Sequence, residues 1–562
     1  MKLNKEQYVA AHHVNGPMLV LAGPGSGKTH LLVERIRLMI EEKHIPPDNI
    51  LVITFSKKAA RQMQARFAGR VEGNIYPVTF GTFHAVFYHI LQEYDPNVLR
   101  LITEEERREF IGLSVRSCAL YSELFTDDDN TDTVIELIGA FKNFGKDMYE
   151  HNEYARDMTE GEREEFEKMI TEYDRVCRKN NVIDFDDMIL LCGKLLYKHE
   201  RVLRKWQQKY RYILVDEFQD INETQYKVLR LLAGDEMNVF AVGDDDQSIY
   251  AFRGARPELM KKFLHQYKGC RQVTLTMNYR CCENVIGAAD TLIRHNADRL
   301  SRPMQRHLPS MAGGLVYIVN SENTVLQAAF VCDMISDLLR QGLYRADDIA
   351  VLYRSGHCAS MFIRTAKECR IPLNVTSQGE EVPLDVRIHE AYKRAHENRA
   401  SRADYFLIMN NPERGLSREA LCPDTGDYIG DLMSYYRDDP EKLEKVKELK
   451  RTVREYDKEA PDDIKEKKSG VSVMTAHASK GLEFGCVFVI SLQEGLFPHH
   501  KGMTESGISE ERRLMYVAMT RAKERLYMCT VSTEHGKRPS RFAAESVENM
   551  RYIEDTLKII RS

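Results

Sequence analysis

Short, wholly apolar runs recur along the chain, separated by longer stretches in which apolar residues return at helical spacing. Met18–Ala22 (MLVLA) is apolar throughout and ends in a glycine-rich turn. Beyond it, Leu31, Leu32, Ile36, Met39 and Ile40 fall on one face of a predicted helix. Ile50–Phe55 (ILVITF) predicts a second buried strand. Tyr212–Val215, Val239–Val242, Val273–Thr276 and Leu315–Val319 predict more, as do Ile349–Tyr353, Val471–Thr475, Val487–Ser491 and Leu526–Val531. Strands alternating with helices at both ends of the chain predict an α/β protein built on parallel sheets. Two stretches break this rhythm. From about Phe87 to Asp184 the chain is polar and mostly helical, with an acidic patch at Asp127–Asp129 that reads as a solvated loop. From about Gly379 to Gly470 it is helical and charged, and it ends in the linker-like KEAPDDIKEKKSG. Both read as insertions, so the expected outline is two α/β domains, each carrying a helical insertion.

Composition narrows the class. At about 150 residues per domain, 562 residues predict three to five domains. No apolar run approaches the roughly 18 residues of a membrane span, and the N-terminal MKLNKEQYVAAHHV lacks the continuous apolar core of a signal peptide. The 12 cysteines are far below disulfide-scaffold density. They include no C-x-x-C pair, and Cys281 and Cys282 are adjacent, which predicts reduced thiols and a cytoplasmic protein. The net charge of −5 does not advertise a nucleic-acid partner. A basic groove can still exist locally, because the field in a cleft depends on arrangement and not on the sum.

Two motifs carry chemistry on their own. Ala22-Gly23-Pro24-Gly25-Ser26-Gly27-Lys28-Thr29 follows a strand and opens a helix, the context a phosphate-binding loop requires. Its glycines let backbone N–H groups turn toward a polyphosphate, and the helix N-terminus adds a favourable dipole. Lys28 is the candidate for the β/γ-phosphates and Thr29 for Mg²⁺. Ala22 stands where such loops usually begin with glycine. The second motif, Tyr212 to Asp220, is an apolar strand ending in carboxylates. Asp216 is placed to hold Mg²⁺, and Glu217 to orient or deprotonate an attacking water. A small-molecule kinase sharing the loop needs no such glutamate. The pair therefore points to hydrolysis.

With these residues and the ordered motifs that follow, the chain resembles a superfamily 1 DNA helicase of the UvrD/Rep/PcrA group. The matches begin with Leu3-Asn-Lys-Glu-Gln7, the phosphate loop, Ile53-Thr-Phe-Ser-Lys-Lys-Ala-Ala-Arg61 and Gly81-Thr-Phe-His84. They continue with Val215-Asp-Glu-Phe-Gln-Asp220, Val242 to Tyr250, Phe252-Arg-Gly-Ala255 and Asn278-Tyr-Arg280. The second half supplies Val351-Leu-Tyr-Arg354, Thr475 to Glu483 and Glu511 to Arg521.

The resemblance implies two RecA-like parallel-sheet domains. The first spans residues 1–88 and 185–280, with a helical insertion at 89–184. The second spans 281–378 and 471–562, with a reduced insertion at 379–470. It implies that Gln7 reads the adenine edge, Tyr279 stacks on the ring and Glu483 contacts the ribose. Gln247 would sense the γ-phosphate, with Arg280 and Arg521 as arginine fingers from the second domain. A guanidinium suits developing phosphoryl charge, although either arginine taken alone reads as a surface ion pair. For DNA, Phe55, Phe80, Tyr250 and Phe252 would face bases or sugars, with His84, Arg253, Arg354, Thr475 and His477 beside them. Stacking tolerates any base. Yet Phe55 and Phe80 adjoin strands, where burial is the default. Phe252 stands where relatives often carry tryptophan, giving a smaller platform.

The implied activity is an ATP- and Mg²⁺-dependent 3′→5′ motor on single-stranded DNA and single-strand/duplex junctions, with no membrane partner. The short second insertion, with Asn411-Pro-Glu-Arg-Gly-Leu416 resembling a remnant of the larger form, suggests a rival that strips bound proteins but unwinds poorly. The chain also stops soon after its last sheet motif, without the tail relatives use for partners. A second rival is an ATP-gated DNA-binding scaffold. The His12–His13 and His499–His500 pairs read as solvated or locally satisfied, and Glu104–Arg108 and Lys442–Lys450 as charged helix faces.

Overall fold

The computed structural model describes residues 3–561, except 72–73, 75, 95–99, 128–129, 268, 301–304, 307–314, 377–390, 393–394, 397–403, 406–407, 411–413, 418–419, 421–426, 455–469, 501–502, 533–537 and 548–556. Most of the acidic patch, nearly all of the charged linker and the first half of the Asn411–Leu416 segment therefore lie outside the described residues.

The first sheet has six strands: β1 (Met18–Ala22), β2 (Ile50–Thr54), β3 (Thr79–Thr82), β4 (Tyr212–Val215), β5 (Val239–Gly243) and β6 (Arg271–Leu275). They lie in the order β3-β2-β4-β5-β1-β6, and every pairing is parallel. The second sheet has seven: β7 (Leu315–Ser321), β8 (Ile349–Tyr353), β9 (Leu373–Thr376), β10 (Val471–Thr475), β11 (Phe484–Leu492), β12 (Ala522–Val531) and β13 (Leu557–Arg561). Its order is β9-β10-β8-β11-β12-β7-β13, parallel from β10 to β13. The helices used below are α1 (Lys5–His12), α2 (Lys28–Glu41), α3 (Thr131–Phe144), α4 (Phe185–Lys198), α5 (Glu223–Ala233) and α6 (Glu505–Met519).

The apolar runs are continuous because each strand feeds two cores. Successive side chains point to opposite faces of a sheet. Leu19 and Leu21 of β1 join one cluster with Leu51 and Ile53, while Met18 and Val20 join another with Ile50 and Val52. The second sheet repeats this, with Ala350 and Leu352 on one face and Ile349 and Val351 on the other. Covering both faces is the usual condition of a parallel sheet. The patterning missed β3, β9 and β13. Of these, β3 (TFGT) is short, half polar and only partly buried, so it carries no apolar run to read.

Contacts divide the chain into two units. One comprises Met1–Ile102, Phe110–Val375 and Ser469–Ser562, and so contains both sheets and most of the first insertion. That insertion has its own core around Leu137, Ile138, Phe166, Met169 and Tyr173. The other unit comprises Thr103–Glu109 and Thr376–Lys468. Its core gathers Ile408, Met409, Leu432, Val446 and Leu449, and buried Arg414 donates to the Ile408 carbonyl at 3.3 Å. Among the described residues no helix is long and apolar enough to cross a membrane.

Leu352 is fully buried in a strand flanked on both sides. Leu352→Ala is expected to remove about 2–5 kcal/mol of stability through the cavity it leaves. Urea denaturation followed by circular dichroism checks this, and a loss below about 0.5 kcal/mol, the range of surface substitutions, would contradict the central position.

Candidate nucleotide site between the two sheets

Between β1 and α2 the chain turns through Gly25 (φ +69) and Gly27 (φ +84), both in the left-handed region. A Cβ on Gly25 would sit 2.6 Å from Arg280 Cβ and 2.9 Å from Asn278 Oδ1, so this position needs glycine for space as well as for conformation. Gly27 caps α2 without a side-chain hydrogen bond. The helix N-terminus thus presents its first-turn N–H groups without a capping side chain, an arrangement that binds phosphate. The loop is braced from both sides. Gln7 Nε2 donates to the Ser26 carbonyl at 3.0 Å, and Gln7 is itself held by the Asn4 capping box of α1. Asn278 Nδ2 donates to the Pro24 carbonyl at 2.7 Å, the Tyr279 N–H donates to the Gly25 carbonyl at 2.8 Å, and the Tyr279 hydroxyl accepts from Asn4 Nδ2 at 2.9 Å. Gln7, the loop from Ala22 to Thr29, and Tyr279 therefore converge.

Beside the loop lies a group of buried charges. Lys28 Nζ is 3.3 Å from Glu217 Oε1 and is buried without a hydrogen-bond acceptor. Glu217 follows β4 in the left-handed region (φ +53), which costs a residue with a β-carbon about 1 kcal/mol. Gln219 Nε2 donates to its other oxygen at 2.5 Å. Burial pushes the Glu217 carboxyl up, but the Lys28 and Lys480 ammonium groups outweigh it and hold it at about 2. Asp216 moves the other way, to about 7, through burial and the charge of Glu217. Of the two, Glu217 keeps the negative charge. Asp220, raised by burial to about 6, accepts from Lys480 Nζ at 2.5 Å.

Lys480 comes from the second sheet. It also donates to the Gln247 carbonyl at 2.7 Å and lies 4.0 Å from Glu217 Oε2. Gln247 Nε2 donates to Asp244 at 2.6 Å, and its Oε1 accepts from Arg521 at 3.5 Å. Arg521 is almost completely buried, and its donors go to the Val517 and Leu482 carbonyls and the Thr520 hydroxyl. Burial and the nearby Arg280 charge pull its pKa down to about 9. Among the described residues no carboxylate pairs with it, which suits an anionic ligand. Arg280 Nε donates to Glu483 at 2.8 Å, and Lys523 pairs with the same carboxylate at 2.9 Å. Glu483 is thus engaged by two cations.

The donor set suits a divalent cation bound mainly through a nucleotide. Thr29 is the second residue of α2, and Asp216 is a half-buried carboxylate beside Glu217. Among the described residues no group of three or more metal-ligating side chains forms a cage. One carboxylate and one hydroxyl, with phosphate and water supplying the rest, is the manner in which Mg²⁺ is usually held.

The aromatic candidates gather on an adjoining face. Phe55 (40% exposed) stacks on Tyr250 with centroids 4.7 Å apart and planes at 13°. Phe252 (49% exposed) lies 6.0 Å from Tyr250 and edge-on to His477 at 5.8 Å. Tyr250, expected to face bases, is only 7% exposed because Phe55 covers it, and Lys480 Nζ sits 5.0 Å from its ring centre. Phe80 is half-buried and packs toward the core against Phe67, as strand residues do by default. Arg354 is taken up by Glu511 at 2.8 Å. Thr475 ends β10, and its hydroxyl accepts from the Ala478 N–H at 3.2 Å. Arg253 lies in a short turn, and its side chain is outside the described residues. His84 is half-buried, with Phe185 edge-on at 5.9 Å.

Residues 3–268 match the family model of the UvrD/REP helicase N-terminal domain, and residues 273–380 and 386–533 that of the UvrD-like helicase C-terminal domain. The protein YjcD of Bacillus subtilis (strain 168) is 30% identical over 96% of this chain and 80% of its own length. The chain belongs to the UvrD/Rep family of superfamily 1 DNA helicases. DNA helicase II of Haemophilus influenzae is 29% identical over 97% of this chain and 86% of its own, and ATP-dependent DNA helicase Rep of Buchnera aphidicola 27% over 97% and 98%.

Within this helicase, the sequence reading gave no role to Lys480, Asp220, Gln219, Asn278 or Phe185. The first four lay inside motifs already singled out, but Lys480 meets Asp220 across 260 positions and Asn278 meets Pro24 across 254, while Gln219 serves its near neighbour Glu217. Phe185 carried no signal beyond being an aromatic beside acids. Gly25→Ala is expected to weaken nucleotide binding on the order of 10-fold, from left-handed strain added to the clash with Arg280. Titration with a fluorescent ATP analogue measures it, and wild-type affinity would show that the loop has slack.

Proposed function

We propose that this UvrD/Rep-family member is an ATP- and Mg²⁺-dependent motor. It moves 3′→5′ along single-stranded DNA and unwinds duplex at single-strand/duplex junctions. The observation that carries the reading is Lys480, which lies against Tyr250 of the aromatic face while holding Asp220 and the Gln247 carbonyl at the nucleotide site. Movement of either sheet against the other must disturb both faces at once. The 3′→5′ polarity rests on family membership.

In this reading the loop from Ala22 to Thr29 cradles the phosphates, and Gln7 and Tyr279 hold the base. Lys28 leaves Glu217 for the β/γ-phosphates. That frees the carboxylate, already ionised, to orient and deprotonate water. Thr29 and Asp216 would hold Mg²⁺, which supplies charge neutralisation on the phosphates. Gln247 sits where it senses the γ-phosphate, and Arg280 and Arg521 stabilise the charge that develops on it. Glu483 reaches the ribose once Arg280 turns to phosphate. Phe55 and Phe252 stack bases directly, with Phe185 and His84 continuing the path. Tyr250 supports them from beneath. His477 and Thr475 belong to the same route, and family membership alone adds Arg253, Arg354 and Phe80 to it. The four-part division at residues 88, 184, 280, 378 and 470 is the corresponding domain scheme. A motor that strips proteins but unwinds poorly is the second reading, favoured by the short Thr376–Lys468 segment of the smaller unit.

Three measurements test this. Steady-state ATPase should rise strongly with single-stranded DNA, and Lys28→Ala should abolish it. A rate indifferent to DNA would sink the motor reading. Arg521→Ala should lower the stimulated rate by about 10³-fold or more, the usual worth of an arginine finger. Phe252→Ala should weaken single-strand binding by roughly 5- to 150-fold, equivalent to one stacked base. In strand displacement, a 3′-tailed duplex should be opened and a 5′-tailed one left closed. Translocation without displacement would favour the second reading.

A further inference from the structure

The last turn of α3, in the first insertion, touches three segments that flank the working faces without belonging to them. Buried Lys142 Nζ lies 2.6 Å from Asp184, 2.9 Å from Asp187 and 3.5 Å from Asp174. Asn143 Nδ2 donates to Asp186 at 2.9 Å and to the Gly139 carbonyl at 2.9 Å, while its Oδ1 accepts from Asn222 Nδ2 at 2.6 Å. Phe144 lies under the Arg256 guanidinium at 5.2 Å. The turn at Gly254 (φ +86) rests on the same spot. A Cβ there would come 3.4 Å from both Asn143 Cβ and Asn222 Cβ and 3.5 Å from Phe144 Cζ.

Each contact ends next to a residue with work to do. Asp184 and Asp186 bracket Phe185, which is 53% exposed beside His84. Gly254 follows Phe252 by two positions, and Asn222 follows Asp220, the acceptor of Lys480, by two. Asn143 joins all three, through hydrogen bonds to Asp186 and Asn222 and close packing at Gly254. Satisfied side-chain networks of this kind, here part-buried, favour one geometry.

We propose that Asn143 is a positioning residue. It fixes the spacing of Phe185 and Phe252, and through Asn222 it ties a bound strand to the Asp220–Lys480 joint. This rests on the DNA-stimulated ATPase proposed above. Asn143 and Asn222 are not among the residues assigned above to the nucleotide or the strand. Their loss should therefore act on the coupling and not on hydrolysis itself.

Asn222 offers a clean test because it divides its amide between two tasks. Its Oδ1 caps α5 by accepting from the Gln225 N–H at 2.8 Å, while its Nδ2 serves Asn143. Asn222→Ser keeps a capping oxygen and removes the amide nitrogen that reaches Asn143. Asn143→Ala removes the other partner. For each single variant and the double variant, the ATPase would be measured without DNA and against increasing oligothymidylate, beside the thermal midpoint. The expected result is an unstimulated rate within twofold of wild type. The DNA concentration for half-maximal stimulation should rise about 3- to 10-fold, the worth of one hydrogen bond, and the double variant should be no worse than Asn143→Ala. Half-saturation unchanged in Asn222→Ser, effects that multiply in the double variant, or an unstimulated rate falling in step would overturn the proposal while leaving the motor reading intact. Wild-type protein that ignores DNA would overturn both.

Discussion

The ammonium of Lys480 organises this molecule. A buried charge costs several kcal/mol unless its partners are well placed, so its acceptors constrain everything that carries them. Asp220 belongs to the segment after β4, the Gln247 carbonyl to the segment after β5, and Lys480 itself to the segment after β10. The contact is satisfied only when the two sheets hold one relation. The same ammonium faces the Tyr250 ring, so the arrangement extends to the aromatic face.

Around that joint the charges are sorted by sign. Glu217 keeps its charge and raises both Asp216 and Asp220, an accumulation of carboxylates that suits a cation. Lys28, Arg280 and Arg521 supply the positive charge, and among the described residues Arg521 has only carbonyl and hydroxyl acceptors besides Gln247, which suits an anion. A magnesium–nucleotide complex answers both needs at once. The strand directions explain why these residues meet. In a parallel sheet every strand delivers its following residue to the same edge. Thus β1 leads to the phosphate loop, β2 to Phe55, β3 to His84, β4 to Asp216 and Glu217, and β5 to the Asp244–Gln247 turn.

The insertion is joined to this edge by polar contacts. Lys142 satisfies the carboxylates at the start of α4, and Asn143 reaches Asn222. Polar junctions of this kind demand defined geometry, where apolar packing tolerates sliding. On the proposal above, the aromatics on either side, Phe185 and Phe252, take their spacing from a helix that contains neither.

Local pattern determined what depends on nearest neighbours. Each apolar run named a strand, because a strand covered on both faces must be apolar throughout. The phosphate loop was legible because glycine spacing dictates a left-handed turn whatever surrounds it. Tertiary structure alone decided which charges pair. Glu483 is held by Arg280 and Lys523, and Arg354 by Glu511. Lys480 crosses 260 positions to reach Asp220. It also decided that Tyr250 lies beneath Phe55 rather than in the open. Such pairings follow from how two sheets and an insertion pack. The sequence around a lysine records its local backbone but not which distant carboxylate will be brought within reach.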